Sequence, residues 1–303
     1  MDVSLGPRPR ILKRASFLAL TLAVVFVPAC RDKKAPRVQD VPKATSALPQ
    51  VTRAPGENET RSSLRTIDIA GRPRNYVLVE PKNFVLSRKY PLVLVFHGDG
   101  GDAASFHGLY RFESASGADA FVAYPEGLNR TWDLETKIDN PDVQFAATLV
   151  DELASRLPVD KTRVFLTGYS SGGFLSNLIA CQKSGLARAI ASHAGGAPYR
   201  QLLVWSNGYT RCPGQEPVAM MALHGERDMG VTLDSGRFSA EYWAYVNGCR
   251  TDEMETTGYD ECHAYRGCAP GKAVVFCPIP GLGHWIWDRG AEATWTFFER
   301  ESR

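Results

Sequence analysis

The sequence predicts an α/β domain with a mostly parallel central sheet flanked by helices, in a single domain. Three observations carry this prediction: β-branched apolar runs alternate with amphipathic stretches, the chain is long enough for one such domain, and a glycine-flanked serine lies where a strand gives way to a helix. Unbroken apolar runs are typical of strands buried on both faces. Such sheets place their binding sites at the carboxyl ends of the strands.

Residues 1–29 have the features of a secretory signal peptide. Basic residues precede a mostly apolar stretch from Ala15 to Val27, which is short for a membrane span. Pro28-Ala29-Cys30 follows and resembles the processing site of bacterial lipoproteins, where the cysteine is lipidated. We expect an exported protein, either secreted or a bacterial cell-envelope lipoprotein that contacts the membrane only through a lipid on Cys30.

The rest of the chain divides into a tether and a domain. Residues 30–62 are poor in large apolar side chains and are predicted to be disordered, whereas residues 63–303 suit one α/β domain. The precursor has a formal net charge of +2, and removal of residues 1–29 leaves it close to −1, since four basic residues and one acidic residue are lost. This balance gives no reason to expect a nucleic-acid partner.

Strands and helices are predicted to alternate along the domain. Residues 64–69 and 76–79 indicate an opening hairpin, because a turn sequence separates two β-rich runs. Apolar residues at helical spacing predict a helix over 141–157. Further strands are predicted at 92–96, 120–124, 163–167, 187–192, 218–223 and 273–276, and further helices at 103–115, 238–246 and 291–300.

The most specific motif is Gly168-Tyr169-Ser170-Ser171-Gly172. A G-x-S-x-G sequence between a strand and a helix is typical of a nucleophile elbow, a tight turn that holds an exposed serine in a strained backbone conformation. The flanking glycines are expected because the turn leaves no room for side chains. The alternative is a glycine-rich loop that only closes a helix N-terminus. We expect Ser170 to be the nucleophile.

A reactive serine needs a base, and the base needs an acid to orient it. On this type of fold the three follow in the order serine, acid, histidine. His284 lies beyond the strand at 273–276 and is the expected base, unless it only packs among neighbouring tryptophans. Asp228 follows the strand at 218–223 and is the expected acid, with Glu226 and Asp234 as alternatives.

Backbone N–H groups are expected to stabilise the negative oxygen that forms during acyl transfer. One is the amide of Ser171, at the start of the helix, and the other comes from the glycine-rich segment after the strand at 92–96. We favour the amide of Asp99, with that of Gly100 as the alternative. His97 and His224 each end a strand before a glycine and are predicted to be structural histidines that bond to loop backbone.

Trp132 and Trp285 are candidates for substrate binding. Trp132 lies in a long segment that follows a strand, and Trp285 follows His284. Together, with Trp205 or Tyr209 as a further member, they are expected to form an aromatic wall, although packing in the core explains any one of them equally well.

The cysteines indicate disulfides. Beyond Cys30 the chain has six, an even number in an exported protein: Cys181, Cys212, Cys249, Cys262, Cys268 and Cys277. Their spacing lacks the C-x-x-C pair of zinc sites, and we expect neither a metal nor another cofactor. The cysteines themselves do not choose among the pairings.

Several blocks together resemble the secreted esterases that are similar to poly(3-hydroxybutyrate) depolymerases and feruloyl esterases, which have the α/β-hydrolase fold. The resemblance runs from about Arg65 to Phe298. Its blocks are Leu94–Gly101, Tyr124–Gly127 with Trp132, Asp142–Phe145, Leu157–Gly173, His224–Asp228, Asn247–Cys249 and Gly281–His284.

The resemblance implies particular roles. Ser170, Asp228 and His284 become the nucleophile, acid and base, and the amides of Asp99 and Ser171 become the oxyanion donors. It also implies a Cys249–Cys268 disulfide, leaving Cys181–Cys212 and Cys262–Cys277 as the other pairs.

The resemblance has two departures. Polymer-degrading members often carry cysteine where this chain has Asp99, and their usual His-x-Trp-Pro-Gly stretch is replaced by the sequence 284–288. Both departures argue against a solid polyester as substrate, and neither removes the triad. We expect a serine esterase acting on feruloyl or acetyl polysaccharide esters or on short hydroxyalkanoate oligomers. The alternatives are a serine peptidase on the same fold and a non-catalytic binding lipoprotein of the envelope.

Overall fold

The computed structural model of the chain describes residues 59–135, 139–199 and 203–302. The predicted signal peptide, Cys30 and most of the predicted tether lie outside these residues. Within the described ranges, no helix combines the length and the apolar character that a membrane crossing requires.

Strands and helices alternate through most of the domain, as the sequence predicts. The strands are β1 (Thr60–Ile69), β2 (Arg72–Pro81), β3 (Tyr90–Phe96), β4 (Phe121–Pro125), β5 (Val159–Tyr169), β6 (Ala189–His193), β7 (Leu203–Val204), β8 (Thr210–Arg211), β9 (Ala219–Gly225), β10 (Arg250–Thr256), β11 (His263–Arg266) and β12 (Val274–Ile279). The helices are α1 (Ala103–Leu109), α2 (Glu113–Ser116), α3 (Pro141–Arg156), α4 (Ser171–Gln182), α5 (Leu233–Val246) and α6 (Gly290–Glu301).

The main sheet has the strand order β1-β2-β4-β3-β5-β6-β9-β12-β11-β10. Neighbouring strands are parallel from β4 to β12, which confirms the predicted mostly parallel sheet. Antiparallel pairs extend it at both edges. Because parallel strands end at the same edge of a sheet, the loops after β3, β4, β5, β9 and β12 come together there.

Both faces of the sheet are covered, and β3 shows how. Every residue of β3 is buried. Leu92 and Leu94 pack in the core that includes residues of α3, α4 and α5, whereas Val93 and Val95 pack in the core that includes residues of α1 and α6. Successive side chains of a strand point to opposite faces. A strand between two helical layers must therefore be apolar throughout, which explains the unbroken run.

Some strands lie outside the sequence prediction. β1 begins at Thr60, so residues 60–62, which the sequence assigns to the tether, belong to the sheet. β10 and β11 extend one edge, and β7 and β8 form a separate small hairpin. β1 and β10 are exposed along most of their length, so neither needs the regular apolar pattern on which sequence prediction relies.

Three disulfides cross-link the domain. They join Cys181 to Cys212, Cys249 to Cys268 and Cys262 to Cys277. These are the pairs that the family resemblance implies. Disulfides form and persist in oxidising compartments, which agrees with the expectation that the protein is exported.

Candidate active site

Ser170 lies at the turn between β5 and α4. Its backbone has φ 54° and ψ −119°, a conformation that residues with a side chain rarely adopt. The helix begins at the very next residue, Ser171, so strand and helix are joined as directly as a nucleophile elbow requires. This places the Ser170 hydroxyl at the carboxyl edge of the sheet.

Close backbone packing explains the two glycines of the elbow. A Cβ added at Gly168 would lie 2.4 Å from the carbonyl oxygen of Gly172. One added at Gly172 would lie 2.3 Å from the carbonyl oxygen of Phe96, at the end of β3. Any side chain at either position would therefore push the elbow away from β3.

His284 and Asp228 converge on Ser170 from two other loops. The Nε2 atom of His284, in the loop after β12, lies 3.0 Å from Oγ of Ser170. Its Nδ1 atom donates to Oδ2 of Asp228, in the loop after β9, at 2.7 Å. With its proton on Nδ1, the neutral imidazole has Nε2 available to accept the proton of Ser170. The three residues that the sequence singles out form one hydrogen-bonded chain.

The carboxylate of Asp228 is buried and fixed by backbone. Its Oδ1 atom accepts from the amides of Gly230 and Val231, both at 2.8 Å. Burial alone would raise the pKa of Asp228, but the hydrogen bonds from His284 and these two amides outweigh it and hold that pKa below its ordinary value. Glu226 and Asp234, the alternative acids, are both exposed.

His97 and His224 make the structural contacts that the sequence predicts. Nδ1 of His97 donates to the carbonyl oxygen of Gly98 at 2.7 Å, and Nε2 of His224 donates to the carbonyl oxygen of Val231 at 2.7 Å. His224 also lies 3.3 Å from Oδ2 of Asp228. Burial lowers the pKa of both histidines, so they are neutral at pH 7 and leave the negative charge of Asp228 to His284.

Tyr169 is a site residue that sequence reasoning missed. Its hydroxyl donates to the carbonyl oxygen of His284 at 2.8 Å, and its ring lies between those of Phe106 and Trp285. The residue before the nucleophile therefore holds the histidine loop against the elbow. Its place inside the G-x-S-x-G motif was the available signal, although the motif leaves this position unspecified.

Backbone amides suited to an oxyanion lie beside Ser170. The amide of Ser171 is in the first turn of α4, where N–H groups have no partner within the helix. The amide of Gly100 donates to the carbonyl oxygen of Arg130 at 2.8 Å and is therefore already used. The amide of Asp99, the other alternative in this loop, makes no backbone hydrogen bond within the described residues.

Curated proteins similar to this chain are feruloyl esterases. Feruloyl esterase D of Neurospora crassa is 27% identical over 86% of this chain and 93% of its own length. Feruloyl esterase C of Emericella nidulans is 28% identical over 74% of this chain and 83% of its own length. Feruloyl esterase B of Piromyces equi is 27% identical over 70% of this chain, and the match spans only 42% of that longer protein.

Solved structures show the same fold. An acetyl xylan esterase from Aspergillus awamori superposes with a TM-score of 0.62 at 18% identity, over 78% of this chain and 99% of that one. A ferulic acid esterase from Anaeromyces mucronatus superposes with a TM-score of 0.54 at 15% identity, over 83% and 95%. No family model matches the chain.

The chain is similar to feruloyl esterases in sequence and has the α/β-hydrolase fold. The protein is accordingly a carboxylic ester hydrolase, and the fold that the sequence predicts is confirmed.

This feruloyl-esterase-like hydrolase has an open groove of about 590 Å³ next to Ser170. A Cβ added at Gly98, in the wall of the groove, would lie 3.4 Å from Cβ of Ser170. The lining combines backbone of residues 98–101 with the aromatic side chains Phe106, Tyr110, Tyr169, Trp285 and Trp287. Trp285 is 53% exposed on the wall of this groove.

Trp132 does not belong to this aromatic wall, which corrects the expectation from sequence. The side chain is only 5% exposed, packs edge-on against Phe96 and lies beside the ring of His97. Its Nε1 atom donates to the carbonyl oxygen of His97 at 2.8 Å. The segment does follow a strand end, but it folds back onto the neighbouring loop and carries the indole into the core.

Proposed function

We propose that this hydrolase cleaves its ester through Ser170, His284 and Asp228, with an acyl-enzyme intermediate. The observation that carries the proposal is the unbroken chain of hydrogen bonds, 3.0 Å from Ser170 Oγ to His284 Nε2 and 2.7 Å from His284 Nδ1 to Asp228. A serine hydroxyl becomes a strong nucleophile only when a positioned base removes its proton, and this geometry supplies that base.

In the first half of the reaction, Oγ of Ser170 attacks the ester carbonyl carbon while its proton passes to Nε2 of His284. The buried carboxylate of Asp228 stabilises the imidazolium and fixes its orientation. Collapse of the tetrahedral intermediate breaks the bond to the alcohol oxygen, which leaves with the proton of His284. In the second half, His284 takes a proton from water, the hydroxide attacks the acyl-enzyme, and the acid is released as Ser170 regains its proton.

The developing oxyanion is stabilised by the amides of Asp99 and Ser171. Both belong to rigid backbone, one in the loop after β3 and one in the first turn of α4. Donors that are already aligned lower the barrier, because they need not reorganise as charge forms. The positive end of the α4 dipole acts in the same direction.

The proposed substrates are feruloyl or acetyl esters on polysaccharides, with short hydroxyalkanoate oligomers as the next class. The names of the curated relatives support the feruloyl class. The groove supports it too, because its aromatic walls suit a flat aromatic acyl group. Its openness to solvent is compatible with an alcohol portion that belongs to a long chain.

The test is a set of feruloyl, acetyl, hydroxybutyryl and peptide substrates assayed with purified Ser170→Ala. We expect turnover of the preferred ester to fall by about 10⁴-fold or more, while circular dichroism stays unchanged. The matched control is Ser155→Ala, which removes an exposed hydroxyl from α3.

Each other outcome has a definite meaning. Full activity in Ser170→Ala would refute the mechanism. Turnover of the peptide alone would indicate a serine peptidase on this fold. Failure of a fluorophosphonate to label Ser170, together with no turnover, would indicate a binding lipoprotein.

We also propose export with a lipid on Cys30. The three disulfides support export, and the sequence before Cys30 supports lipidation. Mass spectrometry of the mature protein decides between the outcomes. An acylated N-terminal Cys30 is expected, whereas an unmodified N-terminus and release into the medium would indicate simple secretion.

A further inference from the structure

Two neighbouring loops meet at the carboxyl edge of the sheet. The oxyanion loop, residues 97–101, follows β3, and a second segment, residues 127–132, follows β4. β3 and β4 are adjacent parallel strands, so the two loops leave the sheet side by side. With Trp132 buried in the core, the proposed mechanism leaves the second segment without a role.

The second segment grips the oxyanion loop through backbone and indole contacts. The amide of Gly127 donates to Nε2 of His97 at 3.0 Å, and Nε1 of Trp132 donates to the carbonyl oxygen of the same residue at 2.8 Å. The carbonyl oxygen of Arg130 accepts from the amide of Gly100 at 2.8 Å. These bonds hold the loop on both sides of Asp99.

Asp99 itself is held by a side chain. The hydroxyl of Thr131 donates to Oδ1 of Asp99 in a short hydrogen bond. The backbone of Asp99 carries the proposed oxyanion donor, and its carboxylate is the only other polar group of that residue besides its carbonyl. A bond to the carboxylate restricts rotation of the whole residue and so fixes the direction of its amide.

The backbone of the second segment is strained. Asn129 and Arg130 are consecutive and have φ 55° and φ 64°, in the left-handed region, which asparagine tolerates and which disfavours arginine. Such strain persists only where surrounding contacts determine the backbone, and it clusters at functional sites. Here the left-handed turn directs the Arg130 carbonyl to Gly100 and brings Thr131 to Asp99.

We propose that Thr131 is a positioning residue of the esterase, which acts through the carboxylate of Asp99 to aim the Asp99 amide at the oxyanion. The proposal rests on the serine mechanism above. Thr131 does not line the groove, and its hydroxyl is already bonded to Asp99. In this proposal the side chain of Asp99 attaches the oxyanion loop to the neighbouring segment through its hydrogen bond with Thr131.

A misaligned oxyanion donor has a recognisable kinetic effect. The donor is needed most when negative charge has formed on the oxygen, so its loss weakens transition-state binding and leaves substrate binding almost unchanged. Removal of a complete donor costs roughly 10²–10³ in kcat, and a donor that is only loosened should cost about tenfold.

The experiment compares threonine variants on p-nitrophenyl acetate. Thr131→Val keeps the shape of the side chain and removes its hydroxyl, and we expect kcat to fall about tenfold with KM within about twofold. Thr131→Ser restores the hydroxyl and should recover most of the activity. Thr162→Val is the matched control, because Thr162 makes a similar bond, 2.6 Å to Asp160, near the opposite end of β5.

Two further measurements separate positioning from a general loss of structure. The affinity for benzeneboronic acid, which forms a tetrahedral adduct with an active serine, should weaken in parallel with kcat. Asp99→Ala keeps the amide but removes the acceptor, so it should cause the same loss, and the double variant should be no worse than either single one.

The outcomes are decisive. Wild-type kcat in Thr131→Val, strictly additive losses in the double variant, or unchanged boronate affinity would each overturn the proposal. If Thr131→Val does not fold, Asp99→Ala alone tests the bond, and full activity in that variant refutes it. Ser170→Ala in the same assay separates failure of the serine mechanism from failure of the role of Thr131. Full activity in Ser170→Ala would refute the serine mechanism. An inactive Ser170→Ala together with a fully active Thr131→Val would refute only the role of Thr131.

Discussion

Two strand ends of this hydrolase carry the same dipeptide, and the loops that follow them present different chemical groups to the site. His97-Gly98 opens the oxyanion loop after β3, and His224-Gly225 ends β9 before the acid loop. Both histidines are buried and bond to loop backbone. The first loop nevertheless offers the site an amide, whereas the second offers a buried carboxylate, that of Asp228.

The contacts after the dipeptide make the difference. In the acid loop, the amides of Gly230 and Val231 turn inward and hold the carboxylate of Asp228. In the oxyanion loop, Thr131 and Arg130 of the neighbouring segment hold Asp99 and Gly100 from outside. The two loops therefore share a histidine-glycine pair at the strand end. The hydrogen bonds of the residues after that pair determine which group each loop presents.

The largest expected contrast is between the two aspartates. Asp228→Asn should lower kcat by about 10⁴-fold, because asparagine cannot stabilise the imidazolium and favours the wrong tautomer of His284. Asp99→Ala should lower it only about tenfold, since the amide remains. Steady-state kinetics on p-nitrophenyl acetate measures both.

The matched control for the acid is Asp234→Asn, which changes an exposed carboxylate near the same loop. It should keep full activity. Equal losses of kcat in Asp228→Asn and Asp99→Ala would contradict the proposal that one loop acts through a carboxylate and the other through a backbone amide.

The next effect concerns acid stability and a third strand-end histidine, His193. Burial lowers its pKa to about 3, from 6.5 for a free histidine. Between these values the unfolded chain binds a proton that the folded protein does not, so the free energy of unfolding falls as the pH is lowered. One such group contributes up to about 1.4 kcal/mol per pH unit in that window.

Urea unfolding of His193→Gln tests the effect. The measurement runs from about pH 4 to about pH 7, which covers most of the interval between the two pKa values. The variant should lose stability less steeply on acidification than the wild type. His97 and His224, whose pKa values burial also lowers, contribute in the same direction, so part of the slope should remain. An unchanged slope in His193→Gln would mean that this histidine takes up its proton without unfolding.

The smallest expected effect comes from the Trp132 hydrogen bond to the oxyanion loop, compared with a similar bond elsewhere in the core. Trp132→Phe removes the N–H that bonds the carbonyl of His97, and Trp243→Phe removes a similar buried N–H that bonds Asn177 at 2.7 Å. Each should lower the free energy of unfolding by about 1–3 kcal/mol.

Only Trp132→Phe should also lower kcat, by a few-fold, because only its bond lies beside an oxyanion donor. Thermal unfolding and kinetics on the same preparations check both statements. Equal kcat in the two variants would show that the bond to His97 serves stability alone.

Much of this architecture was readable from sequence because its causes are local. The run over Leu92 to Phe96 must be apolar to lie between two helical layers, and Ser170 needs glycines on both sides of a tight turn. Asp228 and His284 follow strands whose carboxyl ends meet, so their positions after those strands were informative.

The rest depends on contacts that leave little trace in the sequence. Exposed β10 carries charged side chains and no apolar alternation, so its hydrogen bonds to β11 are invisible in the pattern. Trp132 was misplaced because a long loop after a strand is as compatible with a substrate wall as with a fold back into the core. The left-handed backbone at Arg130 runs against the preference of arginine and accompanies its contact with the neighbouring loop, which no local pattern reveals.

The tight contacts around the elbow divide the catalytic apparatus into two bodies. Position 172 touches the end of β3 and the ring of Tyr169 rests on Gly98, so the elbow and the loop after β3 pack as one unit. Asp228 follows β9 and His284 follows β12, farther along the sheet. The hydrogen bond from the Tyr169 hydroxyl to the carbonyl oxygen of His284 joins the two bodies, so the residue beside Ser170 also sets how closely the histidine loop approaches it.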